Sequence, residues 1–231
     1  MTQQNNYQTI KDLKGYLSID RIDEIIQAAS NLRDKTLIRL LSRSGRRVTE
    51  IVGRKRYVHR NANYIGKRGK IGLVKSYPKI QAVRPVDINW EEGLIAFPIL
   101  KKRTKMRKLK VIDDETLKML DEYIQEYRIA PNAALFPITR YRVNQIFVQC
   151  CEACGIYYIG EKRPHPHHLR HSYAIHVLKN SKNPADLKKL SMLLEHNSIE
   201  VTSGYLQFAQ EDMRDLINEA FKPRNKQPKN N

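Results

Sequence analysis

The sequence predicts a mainly α-helical domain carrying one small antiparallel β-sheet, an α+β fold. Three observations predict it: apolar residues recur at spacings of three and four over most of the chain, one stretch alternates like a hairpin, and a glycine-bearing basic stretch between them has no helical period. With 231 residues the chain is long enough for one sizeable domain with a real core.

Residues 1 to 16 are polar and are expected to form a disordered tail, the domain running over 17–221 and a basic disordered tail over 222–231. Ser18 or Asp20 can cap a first helix with Ile22, Ile25, Ile26 and Ala29 on one face. Asp34 can cap a second, with Leu37, Ile38, Leu40 and Leu41 inward, ending near Ser44-Gly45, and a short helix over Val48 to Val52 follows. The segment from about 54 to 83 reads as loops or a β-excursion inserted into the domain. Asp87 to Ile99 reads as a turn at Glu91-Glu92-Gly93 followed by a strand, with Lys108 to Ile112 as its hairpin partner. Helices resume over 114–128 (Leu117, Leu120, Tyr123, Ile124 and Tyr127 at helical spacing), then from a Thr139 cap with Val143, Ile146, Phe147, Cys150, Cys151 and Cys154 inward. Two more span 167–179 and 184–195, and the chain closes on a short helix around Val201 to Leu206 and an amphipathic one bearing Met213, Leu216, Ile217, Ala220 and Phe221.

The charge is uneven. Lys plus Arg number 42 against 24 Asp plus Glu, a net charge of +18. Ten basic residues and no acidic one lie between Gly53 and Arg84, and seven more lie from Lys101 to Lys110, so these two stretches hold nearly the whole excess. Such a distribution supplies a sequence-independent grip on a nucleic-acid backbone, and Arg54, Lys55, Arg56, Arg60, Lys67, Arg68, Lys70, Lys102 and Lys105 are the expected DNA-binding residues. No apolar run is long enough to span a membrane and the N-terminus lacks a signal-peptide core, so a cytoplasmic protein without membrane contact is expected, nucleoid-associated when on DNA. The three cysteines crowd into Cys150 to Cys154, too close for a disulfide framework, and read as buried core.

Five of the seven histidines fall between His165 and His176. His167 and His171 would share a helix face, but Arg170 between them would repel a divalent cation, so no metal is expected. The order of boxes along the chain is more informative. Leu40 to Glu50 reads LLSRSGRRVTE, Pro166 to His171 reads PHHLRH, and Leu193 to Tyr205 reads LLEHNSIEVTSGY, with a tyrosine nine residues after a histidine and a basic hairpin between the first two boxes. In this order the sequence resembles the tyrosine recombinases, the family of phage-type integrases and Xer-like resolution enzymes, and its archaeal-looking branch in particular, over about Tyr16 to Phe221.

The resemblance implies a catalytic domain that breaks and rejoins double-stranded DNA. A phosphodiester under attack needs its non-bridging charge neutralised, preferably by guanidinium forks. By resemblance Arg47 and Arg170 clamp the phosphate, Arg47 being chosen over Arg46 because it stands three residues before Glu50, an orienting group. Arg46 then reads as a solvent or backbone-contacting arginine. His167 matches the histidine that takes the nucleophile's proton or braces the phosphate, His196 the one that hydrogen-bonds a non-bridging oxygen, and Tyr205 the nucleophile that forms a 3′-phosphotyrosine. His171 packs or contacts phosphate, and Tyr173 and the Tyr157-Tyr158 pair read as core. A hairpin lysine protonates the leaving 5′ oxygen. Counting along the strand assigns Lys101, with Lys102 and Lys105 as alternatives. The covalent link stores the bond energy, so no ATP, metal or other cofactor is implied. The resemblance further implies a tetramer on two DNA sites, the last helix docking on a neighbouring subunit, and lack of the separate N-terminal clamp domain common in relatives. Rival readings are a non-catalytic DNA-binding relative and a type IB topoisomerase-like relaxing activity.

Overall fold

The computed structural model describes residues 15–55, 57–65, 71–77, 79–99 and 107–179, the backbone alone for the segments 57–65 and 71–77. Helix α1 (Ile19–Gln27) starts where the Ser18 side chain accepts from the Arg21 amide, and it buries Ile22, Ile25 and Ile26. Helix α2 (Leu32–Ser44) is capped by Asn31, which accepts from the Asp34 amide at 2.9 Å, so Asp34 sits one turn inside the helix instead of capping it. Its last carbonyls face Gly45, which closes the helix at φ +60°. A Cβ there would lie 2.4 Å from the Tyr173 ring, so only glycine fits. Helix α3 (Val48–Val52) follows two residues later.

The excursion predicted over 54–83 is an antiparallel hairpin of β1 (Tyr57–Ile65) and β2 (Ile71–Tyr77), with an irregular register between Asn61 and Ile65. Its base is pinned: Arg54 and Ile80 exchange two backbone hydrogen bonds of 2.8 Å, and the Val83 amide donates to the Ile51 carbonyl. A 3-10 turn (Pro85–Asp87) leads into a three-stranded antiparallel sheet of β3 (Ile88–Asn89), β4 (Leu94–Pro98) and β5 (Arg107–Val111), in that order. The hairpin partner therefore begins one residue before the predicted Lys108.

Asp113 caps α4 (Asp114–Glu126), and Thr139 caps α5 (Arg140–Ala153), accepting from Arg142 as the sequence predicts. Helix α6 is His167–Lys179. The chain divides into two compact units, the first ending at Tyr173, and in the second only residues 174–179 are described. The core of the first unit joins Ile22, Ile25 and Ile26 to Leu37, Leu40 and Leu41, Ile95 and Phe97 of β4, Leu120 and Tyr123 of α4, Ile146, Phe147 and Cys151 of α5, and Leu169 of α6. Burying each of the isoleucine, leucine and phenylalanine side chains among these contributes about 1.5–3 kcal/mol before entropy is counted. The Leu17 amide closes this body by donating to Ser172 Oγ at 2.8 Å.

Three expectations are corrected. Tyr16, placed in the tail, is buried. Tyr127 lies on the open side of the C-terminus of α4. Tyr157 and Tyr158, read as core, are 54% and 46% exposed, because the chain leaves α5 at Gly155 and carries them over the surface. Asp87, just past the first basic stretch, accepts from Arg84 and pairs with Arg107 at 2.6 Å. Among the described residues no helix is long and apolar enough to cross a membrane.

Candidate active site

Arg47 occupies the N-cap of α3, the end where helix amides and dipole favour an anion. Its backbone N–H donates to Glu50 Oε2 at 2.8 Å and its Nη1 to Oε1 at 3.2 Å. Glu50 is fully buried, so its carboxylate aims the guanidinium while one side of Arg47 remains open. Arg46 behaves differently from the expectation of a solvent or DNA contact. It is 2% exposed, its guanidinium carbon 5.4 Å above the Phe97 ring and its Nη1 4.0 Å from Glu50 Oε2. Adjacent residues leaving a helix end point to opposite sides, and the side given to Arg46 is the core.

His167 opens α6, preceded by Pro166, and its amide donates to His165 Nδ1 at 3.2 Å. Desolvation first, then the charges of His171, Arg170, His165 and Arg47, push the His167 pKa down to about 4. The ring is therefore neutral at pH 7 and can accept a proton. His168 is buried, receives the His165 amide on Nδ1 at 3.1 Å, and is held down to about 3, chiefly by burial. His171 packs edge-on against His167, ring centres 4.7 Å apart.

Arg47 and His167 line one open cavity of about 480 Å³, together with Arg46, Val48, Thr49, Arg140, Tyr141, Asn144, His165 and Pro166. Arg170 does not line it. It is 3% exposed, and its Nη1 donates 2.8 Å to the carbonyl of Gly45, the residue that leads into Arg46 and Arg47. The structure thus gathers Arg47, His167 and Arg170 around the start of α3. Lys101, Lys102, Lys105, His196 and Tyr205 lie outside the described residues, as do Arg56, Lys67, Arg68 and Lys70. Of the other expected DNA-binding residues, Arg60 lies on β1, Arg54 is half-buried at the base of the hairpin and Lys55 is exposed.

Three cavity residues are absent from the sequence expectations: Arg140, Tyr141 and Asn144, on the first turns of α5. Two signals could have found them. They lie off the face made by Val143, Ile146 and Phe147, and Arg140 puts a cation at a helix N-terminus, where the macrodipole disfavours it. Tyr141 is 72% exposed, unusual for so large an aromatic outside a binding surface. The cysteines do not join the site. Cys150 and Cys151 are buried, and burial pushes the Cys150 thiol up to about 11 and Cys151 higher still, so neither is a nucleophile at neutral pH. Among the described residues no three His, Cys, Asp or Glu side chains are grouped to hold a metal.

This constellation agrees with what comparison with known proteins finds. The sequence profile of the phage integrase family matches residues 79–212, more than half of the chain, and the chain belongs to that family. The tyrosine recombinase XerD of Staphylococcus haemolyticus is 24% identical over 230 residues, covering 93% of this chain and 64% of the relative. The chain thus spans just under two thirds of that relative's length. The fold matches the crystal structure of XerA recombinase at a TM-score of 0.64, with 19% identity over 90% of this chain and 64% of the other. It also matches a post-cleavage complex of XerH site-specific recombinase bound to palindromic difH substrate, with a TM-score of 0.63 and 16% identity over 94% and 57% of the two chains. The helix-rich body with its small three-stranded antiparallel sheet is the tyrosine recombinase catalytic-domain fold.

Proposed function

We propose that the protein is a site-specific DNA recombinase or integrase that cleaves and rejoins strands through a 3′-phosphotyrosine. One observation carries this reading: Arg47 and His167, far apart in sequence, face the same open cavity, and Arg170 bonds the Gly45 carbonyl two residues before Arg47. A guanidinium, a neutral imidazole and a helix N-terminus around one cavity suit a phosphodiester whose charge grows during attack.

In the proposed step the Tyr205 oxygen bonds to phosphorus as the bond to the 5′ oxygen breaks. The phenol proton passes to His167, and a hairpin lysine, Lys101 with Lys102 and Lys105 as alternatives, protonates the departing 5′ oxygen. Arg47, Arg170 and His196 hold the non-bridging oxygens. Attack by another strand's 5′ hydroxyl reverses the step, releasing the tyrosine. The chemistry consumes no ATP, and its electrons balance without a redox partner. XerH has been captured on its difH substrate after cleavage, which supports DNA as the substrate here. The basic hairpin over 54–83, with Arg54, Lys55 and Arg60, extends the phosphate grip. Assembly as a tetramer on DNA through the C-terminal helix belongs to the same reading.

A suicide DNA substrate tests it. Wild-type protein should form a covalent adduct that resists denaturation, and Tyr205→Phe should form none. An adduct that survives Tyr205→Phe removes that tyrosine from the mechanism, and relaxation of supercoiled plasmid without recombinant products would move the protein to the topoisomerase-like class.

A further inference from the structure

Strand β5 is built inside out. Its two aliphatic residues after Lys108 face solvent, Leu109 at 60% and Val111 at 73% exposed, while the lysine between them, Lys110, is 3% exposed. Register fixes this choice. Lys110 pairs with Ile95 of β4 and so shares the inner face, whereas Leu109 and Val111 pair with Ala96 and Leu94 on the outer one. A one-residue slip would bury the aliphatics and free the lysine, which is the arrangement burial alone favours.

The ammonium is not idle where it sits. Lys110 Nζ donates to the Ser44 carbonyl at 2.7 Å and to the Tyr173 hydroxyl at 3.1 Å, and lies 4.4 Å from the centre of the Tyr173 ring. Ser44 ends α2, so a cation on its carbonyl satisfies an orphan acceptor and complements the helix dipole. The next carbonyl, that of Gly45, receives Arg170 Nη1 at 2.8 Å. The Gly45 α-carbon is itself seated on the Tyr173 ring. Two successive carbonyls and the glycine between α2 and Arg47 are thus held by Lys110, Arg170 and Tyr173, the last two one turn apart on α6.

We propose that Lys110 is a positioning residue. Its ammonium locks the Ser44–Gly45 turn, which leads to Arg47, onto the helix that carries Arg170, and thereby sets the spacing of the two guanidiniums. Tyr173 completes the lock through its hydroxyl. The role rests on the cleavage reading above, but the lock itself is a property of the folded chain and can be tested separately.

Lys110→Met keeps the length of the side chain and removes the donor, leaving the Ser44 carbonyl without that bond at a modest cost in stability. With DNA saturating, single-turnover cleavage of the suicide substrate should fall about thirtyfold, as misplacement of reacting groups by a fraction of an ångström does. DNA affinity should stay within about twofold, since Lys110 is buried away from the surface. Hydrogen exchange of the Arg46 and Arg47 amides should rise about tenfold or more while amides elsewhere in the core stay protected, reporting local release of the turn. Tyr173→Phe, which keeps the ring and loses one hydrogen bond, should show the same pattern at about threefold. Wild-type cleavage by folded Lys110→Met overturns the proposal. So does a parallel loss of affinity and salt dependence, which would make Lys110 a phosphate contact. If the wild type forms no adduct, the cleavage reading fails, and unchanged amide exchange in Lys110→Met still sinks the lock. If Lys110→Met does not fold, the exchange of Tyr173→Phe decides in its place.

Discussion

The cavity wall and the layer behind it are made of the same kinds of residue put to opposite uses. In the wall, Arg47 and Arg140 flank an open space beside the neutral ring of His167. Away from it, Lys110 and Arg170 donate to main-chain carbonyls, and Arg46, at the edge of the cavity, lies buried against Phe97 within 4.0 Å of Glu50. A cation open on one side can exchange water for a phosphate oxygen. One wrapped in protein is held by its own chain, and through that hold it fixes the positions of others. Counting basic residues in the sequence cannot separate these uses. Lys110, inside a stretch that reads as DNA grip, belongs to the second kind, and Arg84 and Arg107 are half-buried and paired with Asp87.

The contrast can be broken in order of expected effect. Arg47→Ala removes an open donor and should lower strand cleavage by about a thousandfold, the loss typical of a transition-state donor, with folding intact by circular dichroism. Glu50→Gln attacks both layers at once, leaving Arg46 and Arg47 beside a neutral amide, and should cost about 3 kcal/mol in urea unfolding. If stability is unchanged, the buried carboxylate does not couple wall to backing. Gly45→Ala forces a side chain at φ +60° into the Tyr173 ring and should cost about 2 kcal/mol by the same measurement.

Acid should weaken the molecule through the histidines. In the folded state His168 is depressed to about 3 and His167 to about 4, against an ordinary value near 6.5 when unfolded. Above pH 6.5 both states are neutral at these rings. Below it the unfolded chain takes protons that the native one refuses, so stability falls as pH drops from 6.5 toward 4, by up to about 1.4 kcal/mol per pH unit for the buried His168. His167, open to the cavity, contributes less. A urea series across this range in His168→Asn should lose most of the slope. Smallest of all, Arg140→Ala should weaken DNA binding about threefold and reduce the salt slope by about one, marking an open cation that grips without catalysing.

Much of this was legible beforehand. The helices over 19–27, 32–44, 48–52, 114–126 and 140–153 follow from apolar spacing that tertiary packing reinforces, and Ser18 and Thr139 cap where short polar side chains precede such runs. The boxes around Arg47 and His167 pointed to one site because each carries a local pattern. The backing layer was illegible for the converse reason. Nothing near Lys110 in sequence announces Ser44 or Tyr173, and a lysine in a basic run reads as exposed. Asn31 was passed over because Asp34 has equal capping power one turn later. Tyr141 is marked only by standing off the apolar face of α5, a sign that any surface residue shares.

The bond from Arg170 to the Gly45 carbonyl spans 125 residues, and that from the Leu17 amide to Ser172 spans 155. Contacts of such sequence separation close late, since the entropy of looping the intervening chain must be met before they form. A chain emerging from the ribosome holds Arg47 long before it holds α6, so the turn beside Arg47 acquires its partners only when the domain is almost finished. The cavity beside Arg47 and His167 therefore has no assembled form that precedes the fold itself.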